Sequence, residues 1–386
     1  MEKKKSGLTA AAVGIAMVWM GTHFGPGVAS GTQINVYYIQ YGIPGFFAMF
    51  LAMGLLAVCL YISTEASRIY KTYEYKSWIQ NIFGVKWVSY LFDLSFIVTC
   101  ITAMGGSLNA VATLMQNTLG INYWLGVALV VICGALLCAY GAELVRRASS
   151  YMMFLVVGVL LLIIIMVALY GDGDLKGAFA FTNTTLDPAN FSWPKAMWSA
   201  VIYAAFQATV IANIASVADT IKSRKESKMA ALVGFVSNAG LLVIIGLMLF
   251  SYTSVFPITK EALPIFAVLQ RLNFPWMTTI YVIVVFIAVL STVVGFAFAG
   301  VARFSVYYQP KEGPKSSLRD GLFVAVLLIV CALASRFGIL KLVSVGYKAL
   351  GYLNLPILIL SSLILGSRKI SRKYLEENNI EAEGLD

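Results

Sequence analysis

Gly21-Thr22-His23-Phe24-Gly25-Pro26-Gly27-Val28-Ala29-Ser30-Gly31 lies inside the first long apolar run of the chain, which extends from about residue 8 to about residue 40. One transmembrane helix needs only about 20 residues, so this run is too long for a single straight span. Proline lacks the amide donor of a helix and glycine favours leaving it, so four glycines and one proline in this stretch predict a break. In lipid, a break persists only where protein or a water-filled cavity satisfies the freed backbone groups. The stretch is therefore a candidate functional site.

The composition is that of an integral membrane protein. Of 386 residues, 60% are apolar and 12% are charged, whereas soluble domains carry about 25% charged residues. The net charge of +10 does not indicate nucleic acid, because the basic residues cluster at the ends of apolar runs. A single histidine and five cysteines without paired ligand spacing argue against a zinc site, and no phosphate-binding loop is present. Without a convincing acid, base and nucleophile set, we expect no enzymatic activity.

Ten apolar runs recur along the chain. They lie at about 8–40, 43–67, 87–117, 121–142, 150–170, 196–220, 227–251, 275–307, 321–337 and 341–366. If both termini are inside, the 28 lysines and arginines divide 21 to 7 between the inner and outer segments. Cytoplasmic loops are enriched in these residues. The pattern predicts ten spans in a bacterial cytoplasmic (inner) membrane, with both termini cytoplasmic.

The spans form two groups of five, about 8–170 and 195–366, on either side of a polar segment. Two groups with an odd number of spans insert in opposite orientations, which is the arrangement of an inverted repeat. We expect a single all-α transmembrane domain over 1–386, with ten helices in a five-plus-five repeat and with helices 1 and 6 broken. The sixth span lacks central glycine and proline, so its break is predicted mainly from its position. Residues 367–386 are expected to form a solvated cytoplasmic tail.

A broken helix presents unpaired carbonyls on one side of the break and unpaired amides on the other. The carbonyl end suits a cation, and the amides from Gly27 to Gly31 suit a carboxylate. Alternatively, the glycines only allow close helix packing, since Gly21-x-x-x-Gly25 and Gly27-x-x-x-Gly31 are small-residue motifs. His23 is predicted to contact the solute or to carry a proton, and the alternative is a hydrogen-bonded structural residue.

Polar residues inside later spans provide further candidates. Ser291 and Thr292 suit a hard cation, or else they bond back to their own backbone carbonyls. The other polar residues inside spans, which need partners in the bundle interior, are Gln33, Asp93, Asn109, Gln207, Asn213 and Asn238. Asp93 is expected either to extend to the inner interface or to pair with a basic residue at the inner end. The segment 259–273 has helical periodicity but is too short to span, so it is either a lid over the pathway or an interfacial helix.

The pattern Gly21-Thr22-x-x-Gly25-x-Gly27-x-Ala29-Ser30-Gly31-x-Gln33, followed by Tyr41-Gly42, resembles the first-span signature of the YkvI-like family within the amino acid–polyamine–organocation (APC) superfamily. The resemblance extends to Tyr203-Ala204-Ala205-Phe206, to Asp93 and to residues 291–303. It implies a LeuT-like fold and secondary transport. It also implies a candidate sodium site formed by the carbonyls of Gly21, Phe24 and Ala288 and the hydroxyls of Ser291 and Thr292. His23 and Gln207 depart from the family pattern and are therefore candidate specificity residues.

We therefore expect a sodium- or proton-coupled symporter for a small amino-acid-like or amine solute, working by alternating access in a lipid bilayer. The expected solute-binding residues are His23, Gly25, Gly27, Ser30, Gly31, Tyr203, Phe206 and Gln207. We expect no cofactor other than the coupling Na⁺ or H⁺, and no nucleic-acid partner. A channel or a transporter-derived sensor with the same fold is the alternative. The solute, the choice of ion and the oligomeric state stay open.

Overall fold

The computed structural model describes residues 9–73, 75–85, 87–140, 142–180, 184–215, 217–310 and 316–385, and the regular elements within them are all helical. The helices are α1 (Ala10–His23), α2 (Pro26–Ala29), α3 (Thr32–Tyr37), α4 (Ile43–Tyr70), α5 (Tyr75–Phe83), α6 (Val88–Leu119), α7 (Tyr123–Tyr140), α8 (Ala142–Tyr170), α9 (Leu175–Phe179), α10 (Trp193–Gln207), α11 (Val210–Ala215), α12 (Arg224–Ser251), α13 (Pro264–Leu272), α14 (Pro275–Tyr308), α15 (Ser317–Ser335), α16 (Ile339–Lys369) and α17 (Arg372–Glu377). Six of them, α4, α6, α12, α14, α15 and α16, are long and apolar enough to cross a membrane.

The first span is broken where the sequence predicts it. The α1 ladder ends when the Phe24 amide donates to the Met20 carbonyl at 3.0 Å, and α2 begins at Pro26, which needs no amide partner there. A second interruption follows at Gly31, whose φ of 82° is favourable only for glycine. The span therefore consists of three helical pieces, α1 to α3, which confirms the predicted break.

The sixth span is also broken, between α10 and α11, at Ala208 and Thr209. The Ala208 amide still donates to the Ala204 carbonyl at 2.8 Å, and the next amide bond runs from Ile211 back to Ala208 at 3.0 Å. The backbone hydrogen bonds thus change from the four-residue spacing of α10 to a three-residue spacing before α11, although no glycine or proline lies there. Broken helices at the first and sixth spans are both present, as expected.

The helices pack in two groups. One contains α1, α4, α10 and α12, and the other contains α6, α7, α8, α14 and α15, with α16 in contact with both. Trp19 of α1 lies so close to Gly234 of α12 that an added Cβ would be 2.3 Å from the indole ring. In the second group, Arg303 of α14 donates to Asp93 of α6, which confirms the expected basic partner of Asp93.

The segment predicted as a lid or an interfacial helix contains α13, and it covers the second interruption of the first span, at Gly31. The Ile265 amide of α13 donates to the Ser30 carbonyl at 3.1 Å, and the Thr32 hydroxyl donates to the Ala262 carbonyl at 2.6 Å. A Cβ at Gly31 would lie 3.1 Å from Ile265. These contacts favour the lid interpretation. The side of the bundle that carries α13 is called the lid side below, and the side where α1 begins and α16 ends is called the terminal side.

The segment 367–386, which the sequence predicts to be a solvated cytoplasmic tail, contacts the bundle at several points within its described residues. The last apolar helix, α16, includes residues up to Lys369, and α17 then places Leu375 against the bundle with 2% of its surface exposed. The Glu383 carbonyl accepts a hydrogen bond from Arg68. The segment 370–385 is docked because an apolar side chain and several backbone carbonyls find partners on the terminal side.

A buried ion cluster lies beneath the docked segment. Glu65 of α4 is fully buried and pairs with Arg68 at 2.7 Å and with Arg224 of α12 at 3.0 Å. The Ser227 hydroxyl donates to the same carboxylate at 2.9 Å. The backbone amide of Arg224 in turn donates to the Gly384 carbonyl at 2.8 Å. The cluster thus joins α4, α12 and the C-terminal segment.

Candidate solute and cation site

The break between α1 and α2 leaves backbone groups without helical partners. Among the described residues, the carbonyls of Gly21 and Phe24 accept no backbone hydrogen bond, and the Gly25 amide donates none. The Gly27 amide lies in the first turn of α2, where amides have no acceptor within their own helix. The carbonyls are suited to a cation, and the amides are suited to an anion. A Cβ built at Gly25 meets no described atom within 4 Å, so there is open space beside the break.

The expected anion site is narrower than the range Gly27 to Gly31. The Ser30 amide donates to the Pro26 carbonyl, and the Gly31 amide donates to the Val28 carbonyl, each at 2.9 Å. The Ser30 hydroxyl is 2.9 Å from the Thr32 hydroxyl, so it too has a protein partner. Ser30 and Gly31 therefore form the turn beneath the lid. The Val28 and Ala29 amides both donate to the Gly25 carbonyl at 3.0 Å, so Gly27 has the one amide of this range that remains for a solute, and the Gly25 amide just before the range is added to it.

His23 joins three helices at the end of α1. It is buried, with 2% of its surface exposed. Its Nδ1 is 2.8 Å from Asn238 Oδ1 on α12, and its Nε2 is 2.8 Å from the Tyr203 hydroxyl on α10. Both ring nitrogens therefore have protein partners. These two hydrogen bonds are the ones expected if His23 is a structural residue between helices.

A chain of amides continues from Tyr203 back to the first span. Gln207 Nε2 donates to the Tyr203 hydroxyl and to Gln33 Oε1, both at 3.3 Å. The Gln33 amide lies over Gly27, where an added Cβ would be 2.3 Å from Gln33 Nε2. Gly27 thus provides the room for Gln33 to fold back across the break.

Aromatic rings surround this polar chain. Phe206 stacks on Tyr347 of α16, with centroids 4.6 Å apart and planes inclined by 5°. The rings of Tyr37 and Tyr38 lie 5.2 and 5.0 Å from that of Tyr203. Aromatic faces of this kind attract ammonium groups and cover apolar parts of a solute. The predicted site residues Tyr203 and Phe206 therefore lie in one aromatic cluster. The other members are Tyr37 and Tyr38 of the first span and Tyr347 of α16.

The helix α14, which carries the predicted cation residues, packs against α2 of the first span. The Tyr281 hydroxyl donates to the Ala29 carbonyl at 3.1 Å, so α14 contacts the first span at α2. Ala288, seven residues further along α14, lines a cavity of about 10 Å³ together with Ala29. The Thr292 hydroxyl donates to the Ala288 carbonyl at 3.0 Å, as the back-bonding alternative predicts. That bond places two of the predicted oxygens side by side, and Ser291 lies between Ala288 and Thr292 on the same helix.

The structure thus brings His23, Tyr203, Phe206 and Gln207 into one cluster. Sequence reasoning named Asn238 and Gln33 only as polar residues inside spans, and it missed the cluster residues Tyr37, Tyr38 and Tyr347. The structure does not describe the side chain of Asn213, another of the polar residues predicted inside spans. Within the described part of the chain, no group of three or more histidine, cysteine or acidic side chains is placed to hold a metal ion.

Comparisons with known proteins agree with this architecture. No protein-family model matches the chain. It is 21% identical over 348 residues to the uncharacterized membrane protein YkvI of Bacillus subtilis (strain 168), covering 88% of this chain and 92% of that protein.

Three similar solved structures include two transporters. A Na⁺-coupled sialic acid symporter in a substrate-bound outward-open state is 16% identical, with a TM-score of 0.62 over 95% of this chain and 91% of that one. MhsT in complex with L-phenylalanine is 15% identical, with a TM-score of 0.63 over 96% and 92% of the two chains. A manganese transporter of Eremococcus coleocola is 12% identical, with a TM-score of 0.53 over 98% and 93%. These findings confirm the LeuT fold and the resemblance to YkvI.

Proposed function

We propose that this YkvI-like chain of the LeuT fold is a secondary active transporter, coupled to Na⁺ or H⁺, for a small zwitterionic solute of the amino-acid type. The observation that carries the proposal is the broken first span. At one break it offers free carbonyls at Gly21 and Phe24 and free amides at Gly25 and Gly27. A membrane helix leaves such groups unpaired only where a ligand, water or protein can satisfy them.

The solute class follows from the charges of the groups around the break. The amides of Gly25 and Gly27 suit a carboxylate, and the aromatic cluster around Tyr203 suits an ammonium group or an apolar side chain. Sialic acid, the substrate of the similar symporter, and L-phenylalanine, bound in the MhsT complex, both contain a carboxylate. An amine without a carboxylate would leave the two amides unpaired, so the zwitterion is the better fit.

The proposed sodium site uses the Gly21, Phe24 and Ala288 carbonyls and the Ser291 and Thr292 hydroxyls. Hard cations prefer oxygen ligands of this kind. The ion would thus lie between α14 and the broken span. Because it would bind the same break as the solute, each ligand is expected to increase the affinity of the other.

A thermal-shift screen of the purified protein tests this function. Amino acids, amines and osmolytes are added with and without sodium, since a ligand that binds only the native state raises its apparent stability. We expect stabilisation by carboxylate-bearing zwitterions that increases with sodium. Thr292→Ala should abolish the sodium-dependent part. Thr279→Ala is the matched control, because its hydroxyl makes the same kind of bond, to the Pro275 carbonyl at 2.9 Å, elsewhere on α14.

The proposal fails in part or in whole according to the result. Stabilisation by amines but not by zwitterions would contradict the solute class. Equal sodium dependence in wild type and Thr292→Ala would contradict the cation site. If sodium changes the melting temperature neither alone nor with any solute, H⁺ is the remaining candidate for the coupling ion.

A further inference from the structure

We propose that the C-terminal segment, residues 370–385, is a latch that holds the terminal side of the bundle closed, and that its release lets water reach the site from that side. The part that the latch plays in transport rests on the proposed function. The latch itself rests only on the contacts described below.

The start of the segment is attached to the second helix group. α16 ends at Lys369, whose amine donates to the Asn81 carbonyl of α5 and whose carbonyl accepts from the Tyr70 hydroxyl at 2.8 Å. α5 packs in turn against α6, where the ring centroids of Phe83 and Phe92 are 6.5 Å apart. The first residues of the segment are therefore held, through α5, beside a helix of the second group.

The end of the segment lies on the first helix group. The Gly384 carbonyl accepts from the Arg224 amide at 2.8 Å, and a Cβ added to Gly384 would be 2.8 Å from the Lys222 carbonyl. Arg68 of α4 donates to the Glu383 carbonyl. Lys222 belongs to the connection between α11 and α12. The segment thus crosses the terminal side from one helix group to the connection that follows the broken sixth span.

That connection leads to α11, the terminal-side half of the sixth span. Its residues Ile211, Ile214 and Ala215 are fully buried. α11 packs against α1, which is the terminal-side half of the first span, and against α4 and α5. A path from the break to the terminal side requires α1 or α11 to move away from these neighbours. The segment opposes that movement because it holds both α5 and the connection after α11.

The contacts of the latch allow it to open without disrupting the ion cluster beneath it. Arg224 Nη2 donates to the Ile370 carbonyl at 2.5 Å, and Leu375 is buried against the bundle. Release would expose these groups to water. Glu65 would still pair with Arg68 and Arg224, so no buried charge would lose its partner. The latch therefore shifts the equilibrium towards the closed terminal side while leaving the open state accessible.

Thiol labelling tests the latch. Ala215→Cys places a reporter in α11 at a fully buried position, so a water-soluble maleimide reaches it only when the terminal side opens. The full-length protein is studied in nanodiscs, without solute and without an ion gradient. The chain without the reporter gives the background from the five native cysteines.

Gly384→Val is the releasing variant, because its side chain would collide with the Lys222 carbonyl. It should speed labelling of the Ala215→Cys reporter at least about tenfold, since hydrogen bonds from charged donors each contribute about that factor. Glu383→Ala keeps the carbonyl that Arg68 binds and should leave the rate unchanged. A second reporter, Ala48→Cys, is buried near the lid-side end of α4 and should be labelled slowly in every variant.

A milder variant acts at the start of the segment. Tyr70→Phe removes the hydroxyl that donates to the Lys369 carbonyl, and it should speed labelling of the Ala215→Cys reporter by about threefold. If Gly384→Val unfolds the protein and also exposes the Ala48→Cys reporter, Tyr70→Phe decides the question. A rate for Tyr70→Phe equal to that of the parent chain would then overturn the proposal.

Proteolysis of the segment is followed in the same samples. Faster proteolysis of Gly384→Val with an unchanged labelling rate would overturn the latch, because the segment would be free and the terminal side still closed. Unchanged proteolysis would contradict the docking on which the latch depends. Because neither solute nor gradient is used, these failures are separate from a failure of the transport proposal, which the ligand screen tests.

Discussion

Replacement of Glu65 by glutamine should destabilise the protein strongly, because Glu65 is the only carboxylate in the described ion cluster. Its two oxygens accept from Arg68 Nη2 at 2.7 Å, Arg68 Nε at 3.0 Å, Arg224 Nε at 3.0 Å and the Ser227 hydroxyl at 2.9 Å. Glutamine keeps the shape but offers one acceptor oxygen and turns an amide donor towards an arginine.

The magnitude follows from burial. The side chains of Glu65, Arg68 and Arg224 are 0%, 7% and 13% exposed, so two arginines would lose their counter-charge with little access to water. Removing one partner of a buried ion pair costs about 3–5 kcal/mol. The matched control is Asp172→Asn, whose arginine partner Arg271 is 40% exposed and whose own side chain is 51% exposed. An exposed pair contributes less than about 1 kcal/mol.

Thermal denaturation in detergent, followed by intrinsic fluorescence, compares the two variants under one protocol. Glu65→Gln should lower the apparent melting temperature several times more than Asp172→Asn. Unfolding of membrane proteins is often irreversible, so half-lives at one temperature should rank the variants in the same order. Equal effects of the two substitutions would refute the reasoning from burial.

Two further predictions concern the surfaces on either side of the bundle. Gly384→Val should release the C-terminal segment and speed its proteolysis, because Gly384 has a φ of 65° and an added Cβ would be 2.8 Å from a backbone carbonyl. Glu383→Ala should leave the rate unchanged, because this residue docks through its carbonyl, and equal rates for both variants would contradict the docking. On the lid side, the hydrogen bond from Arg271 holds the pKa of Asp172 below its usual range, so any stability that the pair contributes is present above the ordinary carboxyl pKa and is lost as the pH falls through the lowered value. Melting temperatures of wild type and Asp172→Asn should therefore converge in acid, and a gap that widens there would contradict the pairing.

The break in the first span was predictable because its cause is local. Pro26 and the closely spaced glycines around it weaken the helix within a run that is too long for one span, so residue types and run length together locate the interruption. The break in the sixth span has no such residues at Ala208 and Thr209 and was expected only from the repeat. In α16, Pro356 and Gly346 lie within π-helical turns and the helix continues through both, so these residue types do not mark a break in every span.

The partners within the site could not be read from the sequence. His23 and Asn238 are 215 positions apart, and only the packing of α1 on α12 brings them together. The docking of the C-terminal segment depends largely on backbone carbonyls, such as that of Gly384, which every residue possesses. The acidic composition of the segment predicts that water surrounds it. In the structure, Arg68 and Arg224 beneath it donate hydrogen bonds to its backbone carbonyls. Residue types thus predicted where polar chemistry lies, while the pairing of those residues required the fold.

Uptake into proteoliposomes tests the central claim most directly. The solute selected by the ligand screen is supplied outside vesicles that contain the purified protein, with an imposed Na⁺ or H⁺ gradient and no ATP. A secondary active transporter predicts accumulation above the external concentration that disappears when an ionophore dissipates the gradient. Equilibration to the external concentration, with or without the gradient, would contradict coupling and indicate a channel.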